Sequence, residues 1–273
     1  MREIVWLPAV QIRCHSLLLY YYPDQPLTHK RTLPTETYTG KVSASTSKRI
    51  RRTVDILLQK SPKQTVWNPI TNRPNDFRLT FLTLTISSKK IIEHRLAYKN
   101  GLSPFLDWLR RRGVKSYIWK AELQERGQIH YHITTNKFIR YDNIRDEWNR
   151  LQKKAGWLNE YFEEKGHWNP NSTDIHAVHR VKRLDLYLAK YIAKNETAGK
   201  IKGKVWGCSK DLQGARYFSV DLTKHTEDLL EIGVSSGRVK MVRMERCAIF
   251  DTDCPETYLP DYQNINYRKW REE

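Results

Sequence analysis

The chain has 273 residues, enough for one domain with appendages or two small ones, and enough to bury a sizeable core without disulfides. Lys and Arg number 48 against 30 Asp and Glu, and the resulting +18 net charge, with a pI near 9.7, makes a polyanion the expected partner and nucleic acid the first candidate. Charged residues at 29%, hydrophobics at 39%, aromatics at 11% and a mean hydropathy of −0.71 describe a soluble polar globule and exclude a wholly disordered basic tail.

The apolar stretch over residues 4–22 is interrupted by Gln11, Arg13 and His15, so neither a membrane span of about 20 apolar residues nor a secretory signal is expected. No membrane partner and a cytoplasmic location follow. Cys14, Cys208, Cys247 and Cys254 form no CxxC pair, which argues against a zinc ribbon, fits a reducing compartment and reads as buried thiols. Residues 27–63 form a basic arm in which Lys30, Arg31, Lys41, Lys48, Arg49, Arg51, Arg52, Lys60 and Lys63 outnumber Glu36 and Asp55. It ends in a helix predicted over 47–59, capped by Ser47, with Ile50, Val54, Ile56, Leu57 and Leu58 as its apolar stripe.

Residues 65–67 read as a strand, the Asn- and Pro-rich 68–75 as a loop, and 77–87 as a long strand with Leu82, Leu84 and Ile86 on one face and Phe81, Thr83 and Thr85 on the other. Ser103-Pro104 opens a helix over 105–112, because proline in a first turn loses no needed donor. Strands over 114–123 and 129–135, a helix over 141–154, a strand over 173–181, a helix over 184–195, a strand over 218–222 and a short helix over 226–232 follow. A tight hairpin together with helical crossovers predicts an α+β fold with a central, mainly antiparallel sheet flanked by helices. The expected organisation is an N-terminal basic extension over 1–76, a main domain over 77–222 and a C-terminal extension over 223–273. Trp6, Trp67, Trp119 and Trp206 are assigned to core packing, with base stacking as the alternative.

Two constellations carry chemistry. His130-Tyr131-His132 places two imidazoles at i and i+2, hence on one face of a strand. Glu122 lies eight residues before His130, and a three-residue loop Glu125-Arg126-Gly127, with Gly127 free to turn left-handed, sets the two opposite each other. Two nitrogens and a carboxylate suit Mn²⁺ or, more weakly, Mg²⁺, with positions left for phosphate oxygens and water. The other reading of such a pair is simply the polar face of a strand; structural zinc would want a cysteine at ligand spacing, and none is present.

The second constellation repeats Tyr-x-x-Lys. Tyr187, Lys190, Tyr191 and Lys194 share one arc of the predicted helix, while Leu186, Leu188, Ala189, Ile192 and Ala193 share the opposite one. Two phenols about 6 Å apart along the axis, each with an ammonium nearby, suit attack on phosphate: lysine favours phenolate and neutralises charge on the phosphoryl oxygens. A tyrosine stripe packed under the sheet with snorkelling lysines is the alternative.

The ordered set of residues 81–85, the His130-Tyr131-His132 strand and the twin Tyr-x-x-Lys resembles the HUH endonuclease superfamily, specifically double-tyrosine rolling-circle replication initiators of single-stranded DNA phages and related plasmids. The resemblance spans about 77–222 and implies a five-stranded antiparallel sheet of ferredoxin- or RRM-like type. It implies a divalent metal, Mn²⁺ or Mg²⁺, on His130, His132 and, by spacing, Glu122. It further implies Tyr187 or Tyr191 as nucleophile, assisted by Lys190 and Lys194, cutting single-stranded origin DNA, expected as a hairpin, to leave a 5′-phosphotyrosine and a 3′-hydroxyl primer. A host helicase and polymerase in a prokaryotic cytoplasm would be the partners, since Gly199-Lys200-Ile201-Lys202-Gly203-Lys204 lacks phosphate-loop spacing. An HUH transposase or relaxase shares these residues, and a noncatalytic single-strand-binding module shares the basic, helix-backed sheet.

Overall fold

The computed structural model describes residues 5–25, 43–68, 71–177 and 201–272. It divides into two compact units, one of residues 38–214 and one of residues 1–37 with 215–273. The units part at 37/38 and 214/215, where the sequence reading sets its boundaries at 76/77 and 222/223. The fold is α+β, with a five-stranded antiparallel sheet in each unit.

The larger unit opens on α1 (Ala44–Lys60), whose cap is Ser43: its hydroxyl accepts from the Thr46 N–H at 3.2 Å. The start expected at Ser47 is therefore corrected by four residues, since Ser47 N–H already donates to the Ser43 carbonyl within the first turn. Ile50, Val54 and Leu57 recur at helical spacing and are fully buried. Next come β3 (Gln64–Asn68) and β4 (Arg73–Phe77), an antiparallel ribbon that takes up part of the expected loop. Pro74 is tolerated in it because a two-stranded ribbon has free edges and needs no donor from every residue.

The sheet of this unit runs β8–β5–β7–β6–β9, built from β5 (Thr80–Thr85), β6 (Tyr117–Leu123), β7 (Ile129–Thr135), β8 (Thr173–Ala177) and β9 (Trp206–Cys208). Every neighbouring pair is antiparallel. The predicted strand over 77–87 is shorter than expected because Phe77 closes the preceding ribbon. One face is apolar, with Leu82, Leu84, Trp119, Tyr131 and Ile133 buried.

Helices cover that face. α2 (His94–Ala97), a π-helical turn (Tyr98–Leu102) and α3 (Ser103–Arg111) follow without a break, so Ser103-Pro104 lies within the helical run and does not begin it. Such a widened turn relieves the i−4 bonding that proline cannot make. α4 (Tyr141–Lys154) has the boundaries predicted, and its fully buried Trp148 donates an indole N–H to the Thr85 carbonyl at 2.8 Å and meets Phe105 edge-on. Gly101 is required by close approach: a Cβ there would lie 3.0 Å from the rings of both Trp148 and Trp157. α5 (Asn159–Lys165) contributes no buried residue. The predicted helix over 184–195 and the end of the strand over 173–181 lie outside the described residues.

The smaller unit has the sheet order β10–β1–β2–β12–β11, from β1 (Trp6–Arg13), β2 (Ser16–Pro23), β10 (Ser219–Asp221), β11 (Lys240–Met244) and β12 (Cys247–Asp251). The interrupted apolar stretch near the start is thus a hairpin, with Val10, Ile12 and Leu17 turned to one core. α6 (Lys224–Ser235) and α7 (Asp261–Glu272) add Leu230 and Tyr267 to it, joined by Phe250 from β12. The predicted helix over 226–232 extends a turn further and is capped by Thr223.

No described helix is long and apolar enough to cross a membrane. The four cysteines are free, but Cys254 is exposed and the others only half-buried, which corrects the expectation of buried thiols. Trp119 and Trp206 are buried as expected, whereas Trp6 and Trp67 are 53% and 57% exposed and do not pack in a core.

Candidate metal centre

The second face of the larger unit's sheet is polar, and its chemistry begins with the β6–β7 hairpin. Gly127 adopts φ +82°, and Gln124 and Gln128 close the turn by a 2.8 Å backbone hydrogen bond. That turn sets the register in which Glu122 faces His130 and Lys120 faces His132. The alternation of β7 does the rest: Tyr131 enters the apolar core with no exposure, while the flanking imidazoles stand on the opposite face.

The three expected ligands converge. His132 Nε2 lies 3.1 Å from Glu122 Oε2 and 3.2 Å from His130 Nε2, and His130 Nε2 lies 3.7 Å from the same carboxylate oxygen. These separations match the edges of a coordination face, which for bonds of about 2.1 Å are about 3 Å long. Glu122, His130 and His132 are the one group of three or more potential ligands of this kind among the described residues.

The surroundings bias all three towards metal binding. His132 Nδ1 is 3.1 Å from the Thr83 hydroxyl on β5. With Nδ1 engaged there, the Nε2 lone pair faces the cluster, an arrangement in which a partner on one ring nitrogen orients the other for a metal. Phe81, two residues earlier on β5, stacks on the same imidazole with ring centroids 5.4 Å apart. Burial pushes His132 below the ordinary histidine value, a shift that contact with Glu122 only partly offsets, so the ring stays neutral and ligating.

Glu122 is held in its charged form. Burial alone would raise its carboxyl, but hydrogen bonds from His130, His132 and Lys120, with the Lys120 charge, outweigh burial and keep it well below the usual carboxylate range. Nitrogen lone pairs and a carboxylate packed this closely repel one another unless a proton or cation lies between them, and this is the physical fit of the site to a divalent ion.

Three contributors were not singled out from the sequence: Lys120, buried and hydrogen-bonded to Glu122, and Thr83 and Phe81 against His132. A signal for Lys120 was available, since it stands two residues before Glu122 on one strand and so shares its face. Thr83 and Phe81 share a face by the same rule, but only the β5–β7 register brings Thr83 opposite His132. Tyr187, Lys190, Tyr191 and Lys194 lie outside the described residues.

No curated protein and no solved structure matches the chain. A family model does, that of replication-associated protein ORF2, over residues 79–196. The matched segment contains β5 through β8, hence the whole His-Glu cluster together with the twin Tyr-x-x-Lys stretch. Over residues 79–196 the chain belongs to the replication-associated protein ORF2 family.

Proposed function

We propose that this protein initiates rolling-circle replication by nicking and rejoining single-stranded origin DNA, with the chemistry in the segment 77–222. The observation that carries this reading is the convergence of His130, His132 and Glu122 within 3.7 Å on the polar face of an antiparallel sheet, inside the segment that matches a replication-associated family. A divalent ion, Mn²⁺ or Mg²⁺, held by these three residues would polarise the scissile phosphate.

The protein's own groups supply the remainder. The phenolic oxygen of Tyr187 or Tyr191 attacks phosphorus, a P–O bond to tyrosine forms, and the P–O bond to the 3′ oxygen of the preceding nucleotide breaks. The phenol's proton passes to a base and the leaving 3′ oxygen is protonated, giving a 5′-phosphotyrosine and a primer 3′-hydroxyl. Lys190 and Lys194 stabilise the phenolate and the charge on the phosphoryl oxygens. One phosphodiester replaces another, so no nucleotide triphosphate is consumed, and rejoining is the same step in reverse. A second phenol on the same arc lets one tyrosine cleave the regenerated origin while the other linkage is resolved. The DNA is expected to present a hairpin, and strand separation and synthesis are left to a helicase and polymerase of a prokaryotic host cytoplasm.

The test is a denaturing gel for a covalent protein–DNA adduct, with Mn²⁺ and single-stranded hairpin oligonucleotides from the protein's own replicon. Wild type should form an adduct that EDTA abolishes and that only the double variant Tyr187→Phe/Tyr191→Phe loses. Loss in one single variant would reduce the mechanism to one nucleophile. Tight binding with no adduct would overturn the enzymatic reading and leave a single-strand-binding module.

A further inference from the structure

A second site lies on the same face of the same sheet, at its edge. β9 pairs on one side only, with β6, in a register that sets Trp206 opposite Lys120. Lys120 in turn faces His132 on β7. Cross-strand partners share a face, so Trp206, Lys120 and His132 form one row across the sheet, and two strand spacings put Trp206 about 10 Å from His132.

Beside Trp206 is a cavity of about 270 Å³ walled by Arg49, Arg52 and Thr53 of α1 and by the segment from Lys204 to Gly214. Three of its lining residues are cationic and none is acidic. No carboxylate pairs with Arg49, Arg52 or Lys204 among the described residues, and Asp211, in the adjoining turn, is engaged by the Ser116 hydroxyl at 2.6 Å. Other polar groups there are already committed: Thr53 donates to the Arg49 carbonyl and Gln213 to the Cys208 carbonyl. The donors left over are therefore two guanidinium groups and an ammonium. The Arg49 guanidinium lies 4.9 Å above the Trp206 ring, which restrains it before any ligand arrives.

Such a donor set recognises phosphate oxygens. Size narrows the ligand further, because cavities that enclose a drug-sized molecule run to about 300–1,000 Å³ and this one is smaller, matching a phosphodiester unit and not a whole dinucleotide cofactor. We propose that the pocket between α1 and β9 binds a backbone phosphate of single-stranded DNA, a few nucleotides from the phosphate presented to His130, His132 and Glu122. This inference rests on the nicking function proposed above. It assigns to Arg49, Arg52 and Lys204 the task of holding the strand across the sheet so that the scissile bond reaches the cluster.

The test is fluorescence anisotropy of the full chain with labelled oligothymidylate in EDTA, over a salt series, so that binding is read without cleavage. The pocket variant Arg49→Gln/Arg52→Gln/Lys204→Gln is compared with a variant of equal charge change at exposed sites elsewhere, Arg51→Gln/Lys99→Gln/Lys115→Gln. Circular dichroism confirms that both fold. The pocket variant should bind at least about tenfold more weakly, with a salt slope shallower by about 2 for three lost phosphate contacts, and the control should change far less.

Equal losses in the two variants, or no binding by wild type, would overturn the pocket assignment. Tighter pocket-dependent binding of oligouridylate would overturn its assignment to DNA. The adduct assay separates this inference from the function on which it rests. An adduct in wild type with equal binding losses in the two variants refutes the pocket alone. Pocket-dependent binding without any adduct refutes the nicking function and leaves the pocket standing as a single-strand site.

Discussion

The molecule contains two five-stranded antiparallel sheets, each with one face turned to an apolar core, and they differ in what the other face carries. In the larger unit that face presents Thr83, Lys120, Glu122, His130 and His132, linked by contacts of 3.1 to 3.7 Å and the Lys120–Glu122 ion pair. In the smaller unit the positions opposite its core include Gln11, Leu18, Tyr20 and Ile249, with neither a histidine nor an acid among them. Two sheets of like size and pairing thus diverge in chemistry through the residues at alternate positions of two strands. A strand can spend every second residue on function while the residues between them maintain the core.

The comparison breaks most completely if the imidazoles are removed. His132→Ala should reduce Mn²⁺-dependent adduct formation by at least about 100-fold, measured in single turnover, because it deletes a ligand and not merely a partner of one, where losses of about 10–100-fold are usual. The sheet should survive, since the core side chains of β7 point the other way. Far-ultraviolet circular dichroism would check that.

Glu122→Gln strikes both chemistry and stability. It should weaken metal affinity by about 10–100-fold in a calorimetric titration. It also leaves the Lys120 ammonium buried without its carboxylate, which costs about 3–5 kcal/mol for a broken buried pair. Adding Lys120→Met should restore most of the stability in a urea melt and none of the metal affinity. If affinity returns with stability, Glu122 is a structural partner of Lys120 and not a ligand.

Acid provides a milder probe. His94 and His132 are both held below the ordinary histidine value, burial being the leading cause in each. The unfolded chain therefore takes up protons at a higher pH than the folded one, and metal-free stability should fall as pH drops below about 6.5. His94 lies away from the cluster and meets the Lys202 carbonyl at 3.2 Å, so His94→Gln should flatten the dependence of melting temperature on pH without changing Mn²⁺ affinity. An unaltered slope would show that His94 is solvated in the folded protein.

The smallest effect is expected at the turn. Gly127→Ala forces a side chain into a left-handed conformation and brings its Cβ to 3.2 Å from Ile91, a cost of about 1 kcal/mol. Because this turn sets the register of Glu122 against His130, metal affinity should fall in step with stability, and a loss of stability alone would uncouple the turn from the site.

Much of the centre could be read directly in the chain because its parts are local. His130 and His132 are two residues apart, Glu122 reaches them through one tight turn, and period-2 alternation is enough to bring the three together. Strand β7 and helix α4 were legible to the residue, since strong apolar alternation and a helical stripe outweigh context there. The hairpin β1–β2 was not, because Gln11, Arg13 and His15 interrupt its pattern and its partners β10 and β12 lie some 200 residues later in the chain.

By itself, then, the sequence determined the basic character of the protein, the α+β class and the ligand set on one hairpin, all of which follow from composition and short-range periodicity. Only the tertiary structure decided that Thr83 and Phe81 orient His132, that Lys120 neutralises Glu122 in the interior, and that Arg49, Arg52 and Lys204 surround one cavity. The physical reason is range. Alternation along a strand acts over a few residues, whereas strand order and the packing of α1 against β9 join segments more than 150 residues apart, and no local pattern encodes which of them will meet.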